Sequence, residues 1–201
     1  MIDPLLIGAR KSIADLIDSK STILDVGCGT GELVFSLSQK STMVVGIDKN
    51  IEMIKYARKK RKKLNIQNIE FVSKDANDEN YFSGKYFDYA IFSMTLHQFS
   101  REKANQILKL IKRVTKYIIM ADYNYPLLHN SVGWGIKIIE QMAGREHYLN
   151  FKNYQKQGGL GYFLKYHQLP IMEKGIIGLG AIQVTKVLSE TANIKKLNKK
   201  E

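Results

Sequence analysis

The stretch Asp25-Val26-Gly27-Cys28-Gly29-Thr30-Gly31 sets a carboxylate before glycines at alternate positions. Glycines at that spacing let a chain turn sharply and bring backbone N–H groups against a ligand. The spacing excludes two common phosphate binders. A dinucleotide loop needs G-x-G-x-x-G, but here the third glycine arrives one residue early and Glu32 takes its place. A P-loop would close with Gly-Lys-Ser/Thr, and this loop does not. Asp25 suits a ligand bearing an ammonium group better than a pyrophosphate. Downstream, Asp48 offers a carboxylate able to accept from two neighbouring hydroxyls. Cys28 reads as a small side chain in a tight turn, not a nucleophile. His97 carries the usual chemistry of a base. No HExxH or CxxC spacing occurs, so no metal site is expected.

These residues need elements to hold them. Helical spacing covers 3–18, and the apolar run 22–26 reads as a strand ending at the glycine loop. A helix is expected over 30–39 and a buried strand over 42–47. Asn50 caps a helix reaching Leu64. Strands follow at 68–73 and 87–93. Ser100 caps a helix with Ala104, Ile107, Leu108, Ile111 and Val114 on one face, and a fifth strand spans 116–122. Residues 131–168 are helical but broken by glycines. Finally, 169–177 and 181–188 are strands joined by Gly178-Leu179-Gly180, too short a link for anything but an antiparallel hairpin. The pattern predicts one doubly wound α/β domain over 1–190, its mostly parallel seven-stranded sheet ending in that hairpin. Residues 1–20 hold the first helix, 131–168 the glycine-broken helical segment, and 191–201 a basic tail.

The 201 residues carry a net charge of +12. Much of it sits in the run Arg58-Lys59-Lys60-Arg61-Lys62-Lys63 and in the tail from Lys195, leaving the body near neutral. A solvated helix end and a frayed tail explain this better than a nucleic-acid groove, which spreads cations among aromatics. A lone cysteine excludes an internal disulfide and fits a reducing compartment. No apolar run is long enough for a membrane span, and the first residues lack signal-peptide character, so a cytoplasmic protein is expected.

The Asp25–Gly31 motif resembles the first motif of the class I S-adenosylmethionine-dependent methyltransferases, and the resemblance runs from about residue 22 to 125. It implies a Rossmann-like methyltransferase fold, S-adenosyl-L-methionine as cofactor and S-adenosyl-L-homocysteine as product. It places Asp25, Gly27, Cys28, Gly29 and Gly31 against the methionine moiety and ribose. Asp48 takes the ribose hydroxyls, with Lys49 beside it, and Met53 packs on the adenine. Asp75 and Ala76 bind the adenine edge, and the backbone of Ser93 and Met94 lines the cofactor. Arg10 and Lys11 of the first helix close over the methionine carboxylate.

The reaction implied is in-line displacement of the methyl group by an acceptor. His97 is expected as base or acceptor contact, with Tyr123 as a second catalytic candidate. Asp122, Tyr125, His147 and Tyr148 are placed on the acceptor side. Ser93-Met94-Thr95-Leu96 lacks the Pro-Pro cluster of amino-methylating nucleic-acid enzymes, no cysteine is placed as a carbon-5 nucleophile, and Ser93 is not a metal-binding carboxylate. The small-molecule branch remains, similar to the quinone-biosynthesis type, and this resemblance makes 1–20 a covering helix and 131–168 a helical substrate cover. His147, Tyr148, Phe151, Tyr154, Tyr162 and Phe163 in the cover suit an aromatic acceptor or pack the helices. Two alternatives stay open: an RNA (tRNA or rRNA) methyltransferase, suggested by the basic run, and a cofactor-binding regulatory module without turnover. The oligomeric state is left open.

Overall fold

In the computed structural model, which describes residues 3–189, the apolar runs become strands of one seven-stranded sheet. The basic tail 191–201 lies outside the described residues. The strands are β1 (Thr22–Val26), β2 (Met43–Asp48), β3 (Ile69–Ser73), β4 (Phe87–Ser93), β5 (Thr115–Tyr123), β6 (Ile171–Ile177) and β7 (Ile182–Leu188). Their order is β3-β2-β1-β4-β5-β7-β6, with β1 to β5 parallel and β7 antiparallel to both neighbours. Buried parallel strands need apolar residues on both faces, and β1, β2 and β4 supply them with Leu24, Val26, Val45, Ile47, Ala90 and Ile91. The chain reverses its winding between β1 and β4. A crevice opens at the carboxyl ends on either side of such a switch.

The hairpin adopts an order that hydropathy alone does not give. The second strand, β7, lies inside, between β5 and the edge strand β6. Val184 and Val187 of β7 are buried, whereas β6 leaves both faces exposed and carries Glu173 and Lys174. The more apolar strand takes the interior and the charged one blunts the edge.

The helices are α1 (Asp3–Asp15), α2 (Glu32–Leu37), α3 (Ile51–Leu64), α4 (Glu79–Phe82), α5 (Arg101–Arg113), α6 (Ser131–Met142), α7 (Arg145–Lys156) and α8 (Leu160–Tyr166), with a 3-10 turn at Leu96–Gln98. Several differ from the sequence expectation. The first helix stops at Asp15, and its exit tightens into bonds from Leu16 N to Ile13 O and Ile17 N to Ala14 O. The second starts only at Glu32 because Gly31 is left-handed, with φ 82°. The short α4 and the 3-10 turn carry no amphipathic period long enough to be read in advance. The helical segment 131–168 resolves into three helices separated at Gly144 and Gly158-Gly159, all at positive φ.

Asn50 and Ser100 cap α3 and α5 as expected. The basic run is less free than a solvated helix end. Arg58 Nε donates to Phe71 O, Arg61 Nε donates to Ile66 O, and Lys60 pairs with Glu32 above the Phe35 ring. Among the described residues, no helix is long and apolar enough to cross a membrane.

At the amino end of the sheet, Asp88 Oδ2 accepts from both Thr22 N and Thr22 Oγ1 at 2.8 Å, joining β4 to β1. Asp88→Ala leaves the Thr22 N–H without its acceptor and should cost about 1–3 kcal/mol in urea unfolding. An unchanged midpoint would show that this contact does not hold the strand start.

Candidate active site

The loop after β1 is locked from several sides. Gly27 N and Cys28 N both donate to Ile47 O, at 2.8 and 3.0 Å, and Gly31 N donates to Cys28 O at 2.9 Å. Gly27 has φ 74°, and a Cβ there would stand 2.6 Å from Thr95 Cγ2; one on Gly31 would stand 2.5 Å from the Phe71 ring. Only glycine fits either position. Gly29 N donates to Asp48 Oδ2 at 2.9 Å, and Asn50 N donates to Asp48 Oδ1 at 2.8 Å. Each Asp48 oxygen thus holds one backbone donor and keeps a second lone pair for another.

Asp25 lies beneath this loop, at the carboxyl end of β1, and is 2% exposed. Its Oδ1 has no hydrogen-bond partner. Burial, reinforced by the charge of Asp48, pushes its carboxyl up to about 7. A buried carboxyl oxygen without a donor is costly, and nothing among the described residues donates to this one. Burial, with the charges of Asp25 and Asp48, pushes the Cys28 thiol well above its usual range, so it is no nucleophile.

A narrow cavity of about 70 Å³ runs from this loop along the strand ends, lined by Gly27, Asp48, Lys49, Asp75, Ala76 and Phe99 among others. Met53, in the first turn of α3, is 41% exposed. Asp75 Oδ2 pairs with Lys103 Nζ at 2.6 Å; burial acts to raise this carboxyl, but the ammonium outweighs it and the result is a lowered value. After Ser93, which ends β4, Met94 adopts φ 53° and donates from its N to Ala121 O at 2.7 Å.

A second group of polar side chains lies at the ends of β4 and β5, under α6 and α7. His97 is 2% exposed; its Nδ1 sits 2.6 Å from Asp122 Oδ1, and its backbone N donates to Asp122 Oδ2 at 3.2 Å. Its Nε2 is 3.6 Å from Glu140 Oε2. His147 Nε2 approaches the same Glu140 oxygen at 2.6 Å, without hydrogen-bond alignment. Tyr123 OH donates to Glu140 Oε1 at 2.7 Å. Burial alone would lower the His97 imidazole, but Asp122 and Glu140 together raise it. Burial, with Glu140, raises the Tyr123 phenol. The rings of Tyr123, Phe151 and Tyr154 surround His97.

Four of the residues singled out from sequence, His97, Asp122, Tyr123 and His147, therefore meet in one place. Asp122 is buried and engaged by His97, through Nδ1 and its backbone N, and by Tyr123 N, so it positions His97. Tyr148 reaches the cluster only by stacking on Phe151. Tyr125 stays apart, 51% exposed. Sequence reasoning missed Glu140. Its signal was present: it shares the buried stripe of α6 with Gly133 and Ile136, where an acid is unexpected unless partnered.

Comparison with known proteins follows this geometry. Residues 17–164 match the family model described as a methyltransferase domain. YqeM of Bacillus subtilis, which carries a provisional methyltransferase name, is 31% identical over 108 residues, covering 54% of this chain and 42% of YqeM. The chain thus matches less than half the length of that relative. The YcgJ structure from Bacillus subtilis superposes with a TM-score of 0.68 at 12% identity, covering 91% of this chain and 98% of that one. The magnesium protoporphyrin IX methyltransferase of Synechocystis, solved with bound SAH, superposes with a TM-score of 0.64 at 17% identity, covering 94% and 82%. These two share the fold. With the family model spanning most of the chain, from before β1 into α8, this protein belongs to the methyltransferase domain family.

Proposed function

We propose that this domain transfers a methyl group from S-adenosyl-L-methionine to a small-molecule acceptor by in-line displacement. One observation carries the reading: a buried Asp25 oxygen with no donor, directly under a glycine loop tied to the Asp48 carboxylate. The residues fit the cofactor's chemistry. Asp25 would accept from its ammonium group, and the glycine loop, with Cys28, would follow the methionine chain. The spare lone pairs of Asp48 suit the two ribose hydroxyls, with Lys49 at the same rim. Exposed Met53 offers an apolar face to the adenine, and Asp75 and Ala76 its edge, provided Asp75 shares its carboxylate with Lys103. When bound, the cofactor supplies a methyl group already activated by sulfonium charge.

The chain then has to orient the acceptor and exclude water. His97, turned by Asp122, and Tyr123 are assigned to meet the acceptor, with His147 and Tyr148 on the cover and Tyr125 at the outer rim. Two features favour a small aromatic acceptor, of the quinone-biosynthesis type, over RNA. The acceptor side is closed under α6 and α7 among aromatic rings, and half the basic run is bonded within the domain.

Asp48→Ala should weaken cofactor binding by about 2–4 kcal/mol, because both hydroxyls lose a charged acceptor; an unchanged dissociation constant in calorimetry would reject the assignment. His97→Ala should leave cofactor affinity intact and lower turnover of labelled methyl groups into a metabolite extract; equal turnover would remove His97 from the site. Asp25 gives a pH dependence with a definite sign. Its folded value, about 7, lies above its usual 3.8, so the folded form holds the extra proton between those limits. The stability it contributes is complete below about pH 4 and is lost as pH rises through 7. Asp25→Asn should therefore gain on the wild type over that window, by on the order of 4 kcal/mol, in urea melts without cofactor. The same variant should bind the cofactor more weakly. A stability difference that is flat with pH would contradict the buried, partnerless carboxyl.

A further inference from the structure

We infer that His97, Glu140 and His147 form a binding site for a divalent transition-metal ion of the zinc type. The three ligand atoms, His97 Nε2, Glu140 Oε2 and His147 Nε2, all lie within 4.8 Å of one another. Zinc bonds of about 2.0–2.1 Å in tetrahedral array put ligand atoms about 3.3 Å apart. The observed separations from Glu140 Oε2, 3.6 Å to His97 and 2.6 Å to His147, straddle that value, and the two histidine atoms, within 4.8 Å of each other, would close by up to about 1.5 Å to share an ion.

The surroundings are those of a metal centre and not of a simple ion pair. Asp122 holds His97 by Nδ1, which turns Nε2 toward Glu140; a carboxylate behind a ligating histidine is the recurrent way to fix its tautomer and raise its basicity. Tyr123 OH takes Glu140 Oε1 and leaves Oε2, the buried oxygen with no aligned hydrogen bond, as the free ligand. Charge points the same way. Asp122 and Glu140 are two buried carboxylates, and among the described residues their only ion-pair partners are imidazoles, with no lysine or arginine. With both imidazoles neutral as metal ligands, one dication balances the pair.

The ligands come from the 3-10 turn, α6 and α7, so a bound ion ties both cover helices to the end of β4. Three protein ligands leave one position open, as in catalytic zinc sites. The inference does not depend on methyl transfer, since metal binding is read directly.

The test is titration of the chelator-stripped full chain with Zn²⁺ by calorimetry and with Co²⁺ by visible absorption. One equivalent should bind, with the intense absorption of tetrahedral Co²⁺, and the melting temperature should rise. Glu140→Gln and His147→Ala should each weaken binding at least tenfold, and Asp122→Asn by about 10–100-fold as a supporting group. His129→Ala, which alters an exposed histidine away from the cluster, should change nothing. Circular dichroism and a cooperative melt of each metal-free variant report whether it has folded. The inference is overturned if the wild type binds no stoichiometric ion, if its Co²⁺ spectrum is octahedral and weak, or if the folded ligand variants bind as the wild type does. A wild type that binds the metal but not S-adenosylmethionine would instead reject the methyltransferase reading alone.

Discussion

The structure turns on a buried carboxylate with one oxygen that meets no donor. Asp25 lies near the end of a strand hemmed in by β2 and β4, and its Oδ1 finds no donor among the described residues. A buried acid of this kind weakens the fold unless something cationic meets it. The glycine loop lies above it, and the carboxylate of Asp48 beside it is tied to that loop through Gly29 N.

The parallel sheet makes that arrangement possible. Register sets Asp25 opposite Gly46 and Asp48 opposite Ser73, so successive strand ends present their polar residues along one edge. Gly46 has no side chain, and a Cβ there would come within 2.8 Å of the Cys28 sulfur. The second strand thus makes room for the loop of the first. Beyond the switch, β4 and β5 carry the His97–Asp122 pair to the same edge, where α6 and α7 close over it. The Asp25–Asp48 group and the His97–Asp122 pair thus sit on opposite sides of one reversal in strand order.

Much of this was readable from the residues themselves. The strand of Phe87–Ser93 and the capped starts of α3 and α5 agree with their periodicity and cap residues. Both signals are local, since they depend on neighbours within a turn or two of chain. The glycine loop was equally legible, because positive φ and close backbone approach restrict residue type directly. Errors gathered where local signals compete or fade. Gly31 delayed α2 by terminating the loop it belongs to, and α4 was too short to show a period.

The sequence alone determined the alternation of strands and helices, the family resemblance, and which acids stand at strand ends. Tertiary structure alone decided that β7 lies inside β6, that half the basic run is bound within the domain, and that Glu140 lies between two histidines. The difference is one of range. Backbone conformation answers to nearby residues, whereas a contact between positions 97, 140 and 147 exists only after three separate elements have buried their apolar faces together.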